Sequence, residues 1–184
     1  MAIRILTFEN DSPCNTELFD EEGEILYTVE TISPKSGNVT RVRNADDDIL
    51  GTIEWRESLP DKVTLPGKQA TPLNKWLKKS ILPFVNTVSF KDTSGRKYTW
   101  KGNAPGEQLE LYAEDYSSDA PIARFRQTHP GAPKVPAHLI LSPRAVEIQD
   151  TVVLSFIFLE KTRRIRERAS HNRADSMRNG CYAV

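Results

Sequence analysis

The sequence predicts a mainly β fold in which antiparallel strands curl around one hydrophobic helix near the C-terminus. Two observations carry this. Short apolar runs recur between turn residues along the first 148 positions, and twelve prolines and nine glycines in 184 residues suit short strands better than long helices. Residues 152–159 are apolar on every side apart from Ser155, and they run without a breaker into a charged extension of good helix propensity. A helix of that kind belongs inside something, and a sheet closed around it also removes exposed edges.

Each element follows in order. Residues 3–8 form a first, partly alternating strand, stopped by Asn10-Asp11-Ser12-Pro13. The turn around Gly23 leads into a strand over 25–29, and residues 39–43 alternate cleanly. An acidic turn over 44–48 precedes a strand over 49–55, where Gly51 marks a bulge. Thr71 as N-cap, Pro72 as first helical residue and an apolar face of Leu73, Trp76 and Leu77 predict a short amphipathic helix over 72–79. Strands resume over 84–90, then over 96–101 after the turn Asp92-Thr93-Ser94-Gly95. Further strands are expected over 109–112, 122–125, 138–141 and 146–148, with a Pro-rich loop over 128–136. The closing helix is expected over about 150–168, capped by Asp150.

One domain over 1–170 is expected, followed by a flexible basic tail over 171–184. The whole chain is formally neutral, but from Glu160 onward seven basic residues face three acidic ones. That segment carries +4 and the remainder −4, an asymmetry that suits an anionic partner for the tail. Two distant cysteines, Cys14 and Cys181, make neither a disulfide framework nor a zinc site. With no apolar signal segment at the N-terminus and no run of ~20 apolar residues, a cytoplasmic protein is expected, peripheral at the inner membrane face if its tail meets lipid.

Four ordered pieces carry a family resemblance: Ile49-Leu50-Gly51-Thr52-Ile53-Glu54-Trp55-Arg56, then Gly95-Arg96-Lys97-Tyr98-Thr99-Trp100-Lys101, then Ile122-Ala123-Arg124-Phe125, and last Asp150-Thr151-Val152-Val153-Leu154-Ser155-Phe156-Ile157-Phe158-Leu159-Glu160-Lys161. Together the chain resembles, over about 3–168, an uncharacterised fungal domain family of the mushroom type. That family is similar to the tubby C-terminal, LURP-one and phospholipid-scramblase architecture. The resemblance implies a tubby-like β-barrel of about a dozen strands enclosing the C-terminal helix, with phosphoinositide binding as an analogy of fold.

Candidate chemistry is sparse. No glycine-rich phosphate loop, zincin motif or nucleophile elbow occurs, and Ser155, inside the apolar segment, reads as bonding back within its helix. His129, His138 and His171 lack metal-ligand spacing, and Asp46-Asp47-Asp48 reads as a solvated turn. No catalytic residue, metal or cofactor is expected. Trp55, Trp76 and Trp100 read as core. Lys75, Lys78 and Lys79 are the leading candidates for an anion or lipid site, with Arg96 and Lys97 next and Arg163, Arg164 and Arg166 on the basic extension. Cys181 stands fourth from the end, the C-a-a-X position, and is the candidate lipidation site, although Tyr182 is not aliphatic. The expectation is a non-enzymatic module for anionic phospholipid or phosphoinositide. The alternative is a protein-interaction or structural scaffold with no lipid role. Nucleic acid is not expected, because a body at −4 lacks the basic footprint. Oligomeric state is not legible.

Overall fold

The computed structural model describes residues 2–34, 37–82, 85–116, 120–127 and 136–180, with residues 174–180 described by backbone alone. Its strands are β1 (Arg4–Phe8), β2 (Thr16–Phe19), β3 (Ile25–Ile32), β4 (Asn38–Asn44), β5 (Ile49–Trp55), β6 (Lys62–Thr64), β7 (Thr71–Pro72), β8 (Lys78–Lys79), β9 (Val88–Lys91), β10 (Lys97–Lys101), β11 (Glu110–Ala113), β12 (Ala123–Arg126) and β13 (His138–Leu141). The helices are α1 (Leu73–Trp76), α2 (Pro143–Val146) and α3 (Gln149–Gly180).

All thirteen strands form one antiparallel sheet, ordered β7-β6-β5-β4-β3-β2-β1-β13-β12-β11-β10-β9-β8. Sequence neighbours pair throughout except at one place. There β1 pairs with β13, setting Arg4 opposite Leu141 and Thr7 opposite His138. The sheet is not closed: β7 and β8 are its two edges, and the single turn of α1 stands between them in the chain. Both edge strands are two residues long, which keeps the open edge groups few.

The strands put one face on the core by strict alternation, as in β3, β4 and β10. That core is α3. Residues 152–160 are all buried, as their uninterrupted apolarity requires. Phe156 packs against Phe8 of β1, Trp100 of β10 and Phe125 of β12, with ring centroids 5.7, 6.1 and 4.6 Å away. One half-turn on, Phe158 meets Trp55 of β5 and Trp76 of α1, each at 6.2 Å. Strands from both ends of the sheet order therefore reach the same helical turn, so the sheet curves around it.

The bulge falls where glycine suggested. Val42 pairs with Gly51 and Arg43 with Ile49, leaving Leu50 as the extra residue. Gly51 also sets how closely β5 approaches α3. A Cβ there would lie 2.7 Å from Leu154 Cδ2.

Several expectations are corrected. The amphipathic helix over 72–79 is only α1: Pro72 is its N-cap with no side-chain capping bond, so Thr71 does not cap it, and Leu77 is already extended. Lys78 and Lys79 leave it for β8, because pairing with β9 outweighs weak helix propensity in so short a segment. Residues 146–148 are not a strand. Ser142 Oγ accepts from Ala145 N at 3.4 Å with Pro143 in the first turn, starting α2. The long helix begins at Gln149 and continues past Arg168 to Gly180, as no Gly or Pro intervenes. Asp150 lies inside its first turn, where its carboxylate accepts from Tyr27 Oη at 2.6 Å. The strands β2 and β6 were not foreseen.

Candidate anion site

The site begins with α1 and the edge hairpin. Trp76, half-buried on α1, leans on Phe90 of β9 and on Phe158 of α3. In β9, Val88 and Phe90 point at the core while Ser89 and Lys91 face out. Register sets Lys78 opposite Ser89 and Lys91 opposite Lys97. Lys75, Trp76, Lys78, Ser89, Phe90, Lys91 and Lys97 line one groove of about 340 Å3 on this outer face.

None of the described residues lining the groove is acidic. Lys97 Nζ reaches Glu114 Oε1 at 3.0 Å on its far side. No ion pair joins Lys75, Lys78 or Lys91 to a described residue. Two lysines directly opposite on paired strands repel, and an anion between them relieves that repulsion. The aromatic floor of Trp76 and Phe90 lowers the local polarity beneath the ammonium groups, which strengthens charge–charge attraction there.

An adjoining hollow of about 310 Å3 shares Trp76 and Lys91 with the groove and also holds Asp92 and Asp150, so its charge is mixed. Both carboxylates are engaged. Arg96 Nε lies 2.7 Å from Asp92 Oδ2, and Tyr98 Oη also donates to it, at 3.1 Å. Gln149 Nε2 donates to Tyr27 Oη at 2.8 Å, which itself donates to Asp150. Burial, and then the Asp150 carboxylate, push the Tyr27 hydroxyl far above its ordinary pKa.

The other basic candidates lie elsewhere. Lys79 is exposed on β8 but does not line the groove. Arg96 is paired with Asp92 and, at 3.7 Å, with Glu147. The arginines of α3 turn inward around Glu160, which is fully buried. Arg163 Nε lies 2.8 Å from Glu160 Oε2, and Arg164 Nε 2.7 Å from Oε1. Arg164 also holds Asp11, and Arg163 holds Glu167. Arg166 Nη2 donates to Asn103 Oδ1 at 2.7 Å, and burial, then the Arg163 charge, lower its pKa. The hydrogen bonds that Arg163 donates to Glu160 raise its own pKa. These arginines thus seat the emerging helix on the loops around Asp11 and Asn103. Cys181 lies outside the described residues, as do His129 and the core of the loop over 128–135.

Lys91 was missed from the sequence. Its signal was present: the turn over 92–95 fixes the hairpin register that puts it opposite Lys97. Among the described residues no group of His, Cys, Asp or Glu is arranged to hold a metal ion. No helix among them is long and apolar enough to cross a membrane.

Neither the curated proteins nor the solved structures contain a match to the chain. One family model matches residues 11–165, a span from β2 to the buried turns of α3. With most of its length covered, the chain belongs to DUF6593, a family of unknown function.

Proposed function

We propose that this protein is a non-enzymatic binding module whose lysine groove takes the phosphate of an anionic phospholipid headgroup, phosphoinositide included, at a membrane face. In architecture we read it as a tubby-like barrel left open at one seam. The burial of residues 152–160 and the bridging of the two sheet edges by α1 support that reading. The observation that carries the function is the convergence of Lys75, Lys78, Lys91 and Lys97 on one groove with no acidic lining among the described residues. Ammonium groups suit phosphate as point charges.

Co-sedimentation with phosphatidylcholine vesicles, with and without phosphatidylserine or a phosphoinositide, tests this. Each lysine near an anionic surface contributes about 1 kcal/mol. The triple variant K75Q/K78Q/K91Q should therefore bind anionic vesicles roughly a hundredfold more weakly than the parent. Equal binding of the parent to neutral and anionic vesicles, or unchanged binding by the triple variant, refutes the proposal. Prenyl transfer to Cys181 is a separate proposal, supported by its position and read from the intact mass of protein made in a eukaryotic host.

A further inference from the structure

Next to the groove, the chain exposes apolar side chains that nothing in the described fold covers. Ile81 is 97% exposed, Leu82 64% and Val85 38%, all in the connection between β8 and β9. A backbone bond from Ser80 N to Thr87 O, 2.9 Å long, extends the hairpin beyond its last strand pair. Ile81 and Leu82 therefore sit past the base of the hairpin, at its outer end. A single exposed leucine on a surface needs no explanation, but adjacent apolar residues at a hairpin end do.

The charge around them says what kind of surface covers them. From Leu73 to Lys91 the sequence holds four lysines and no Asp or Glu. Lys78 and Lys79 are on the same hairpin as Ile81, and at ~3.3 Å per extended residue they stand about 7 to 10 Å from it along the strand. That spacing matches the ~5–10 Å by which interfacial segments sink apolar side chains below the headgroups. A protein partner could cover the apolar tip, but the dense positive charge beside it, with no ion pair to a described residue, fits an anionic bilayer better.

Resting on the headgroup reading above, we infer that this end of the hairpin is a membrane wedge: Ile81 and Leu82 enter the acyl boundary while Lys78 and Lys79 stand at headgroup depth, next to the lysine groove. The groove alone would bind soluble phosphate compounds as readily as lipid. The wedge makes a bilayer the preferred ligand.

The test uses the full chain and two probes: phosphatidylcholine vesicles containing phosphatidylserine, and inositol hexakisphosphate, a soluble polyphosphate with no acyl chain. I81S/L82S should bind the vesicles roughly ten- to a hundredfold more weakly, as expected for losing two apolar insertions. Its binding of inositol hexakisphosphate by calorimetry and its thermal midpoint should match the parent. The swap I81L/L82I, which keeps the apolar character, should retain vesicle binding. Parent-like vesicle binding by I81S/L82S overturns the wedge. So does an I81S/L82S variant that loses self-association or a protein contact but not vesicle binding. If K75Q/K78Q/K91Q keeps both ligands while I81S/L82S loses vesicles, the headgroup reading fails and only the apolar insertion of Ile81 and Leu82 is upheld.

Discussion

Trp100 Nε1 donates a 3.0 Å hydrogen bond to Ser155 Oγ, and both side chains are completely buried. The same hydroxyl donates to Val152 O at 3.1 Å, so the one polar side chain in the apolar stretch of α3 is satisfied twice, by its own helix and by β10. It is a dowel between the helix and the sheet.

Ser155→Ala should therefore destabilise the fold by about 1–3 kcal/mol, because it leaves a buried indole N–H without an acceptor. Urea unfolding at neutral pH checks this. A double-mutant cycle with Trp100→Phe isolates the bond. Once the indole is gone, the serine substitution should cost much less, and additive effects would deny the coupling.

Gly51→Ala should destabilise by about 1–3 kcal/mol, since its new Cβ meets Leu154 Cδ2 at 2.7 Å in a packed site. Leu154→Ala opens that space at its own cost. Thermal melts of the two single variants and the double should show that G51A adds little once Leu154 is shortened.

Glu160→Gln should be among the most damaging single changes, at about 3–5 kcal/mol, because Arg163, itself buried, loses its buried charge partner and keeps only Glu167. Denaturant midpoints give the number. Replacing Glu160 and Arg163 together by Met should be less damaging than replacing Glu160 by Met alone, since the buried Arg163 is then no longer left facing an apolar side chain, while Arg164 keeps Asp11.

Acid stability should depend on Asp92. Burial acts to raise the pKa of its carboxyl, but the side chain and backbone N–H of Arg96 and the Tyr98 hydroxyl act to lower it, and the net effect is a lowered value. A folded-state pKa below the unfolded one gives stability that is present above about pH 4 and lost as pH falls through the folded value. Asp92→Asn should lower the urea midpoint at pH 7, and the gap from the parent should narrow at pH 3. A gap that stays constant with pH would count against this assignment.

The helical core was legible because apolarity on every face has one cheap solution, burial on every face, and residues 152–160 realise it. Strands with clean alternation, such as β4 and β10, were legible for the same kind of reason. What failed were short segments whose state is decided by the strands they pair with, outside the segment itself. Thr16–Phe19 is four residues long and is a strand because β1 and β3 flank it. Lys78 and Lys79 read as helix until β9 supplies pairing. The α2 turn was a misreading of a readable signal, Ser142 followed by Pro143. At the candidate site, Lys75, Lys78 and Lys97 are named from sequence and meet in one groove, whereas Arg163, Arg164 and Arg166, expected at an anion or lipid site, are engaged with groups of the chain itself. Basic residues following an apolar helix look alike in sequence whether they face water or a buried Glu160. Only the loops around Asp11 and Asn103 decide it.

The order of the elements bears on how the molecule is made. Every strand precedes α3 in the chain, yet the concave side of the sheet has nothing to pack on until residues 152–160 arrive. Synthesis proceeds from the N-terminus, so thirteen half-greasy ribbons emerge from the ribosome before the plug that completes them. The pairing of β1 with β13 spans nearly the same length of chain and waits as long. The nascent polypeptide must be kept from sticking to its neighbours throughout translation, and a premature stop anywhere before Val152 yields a chain with no native state to reach.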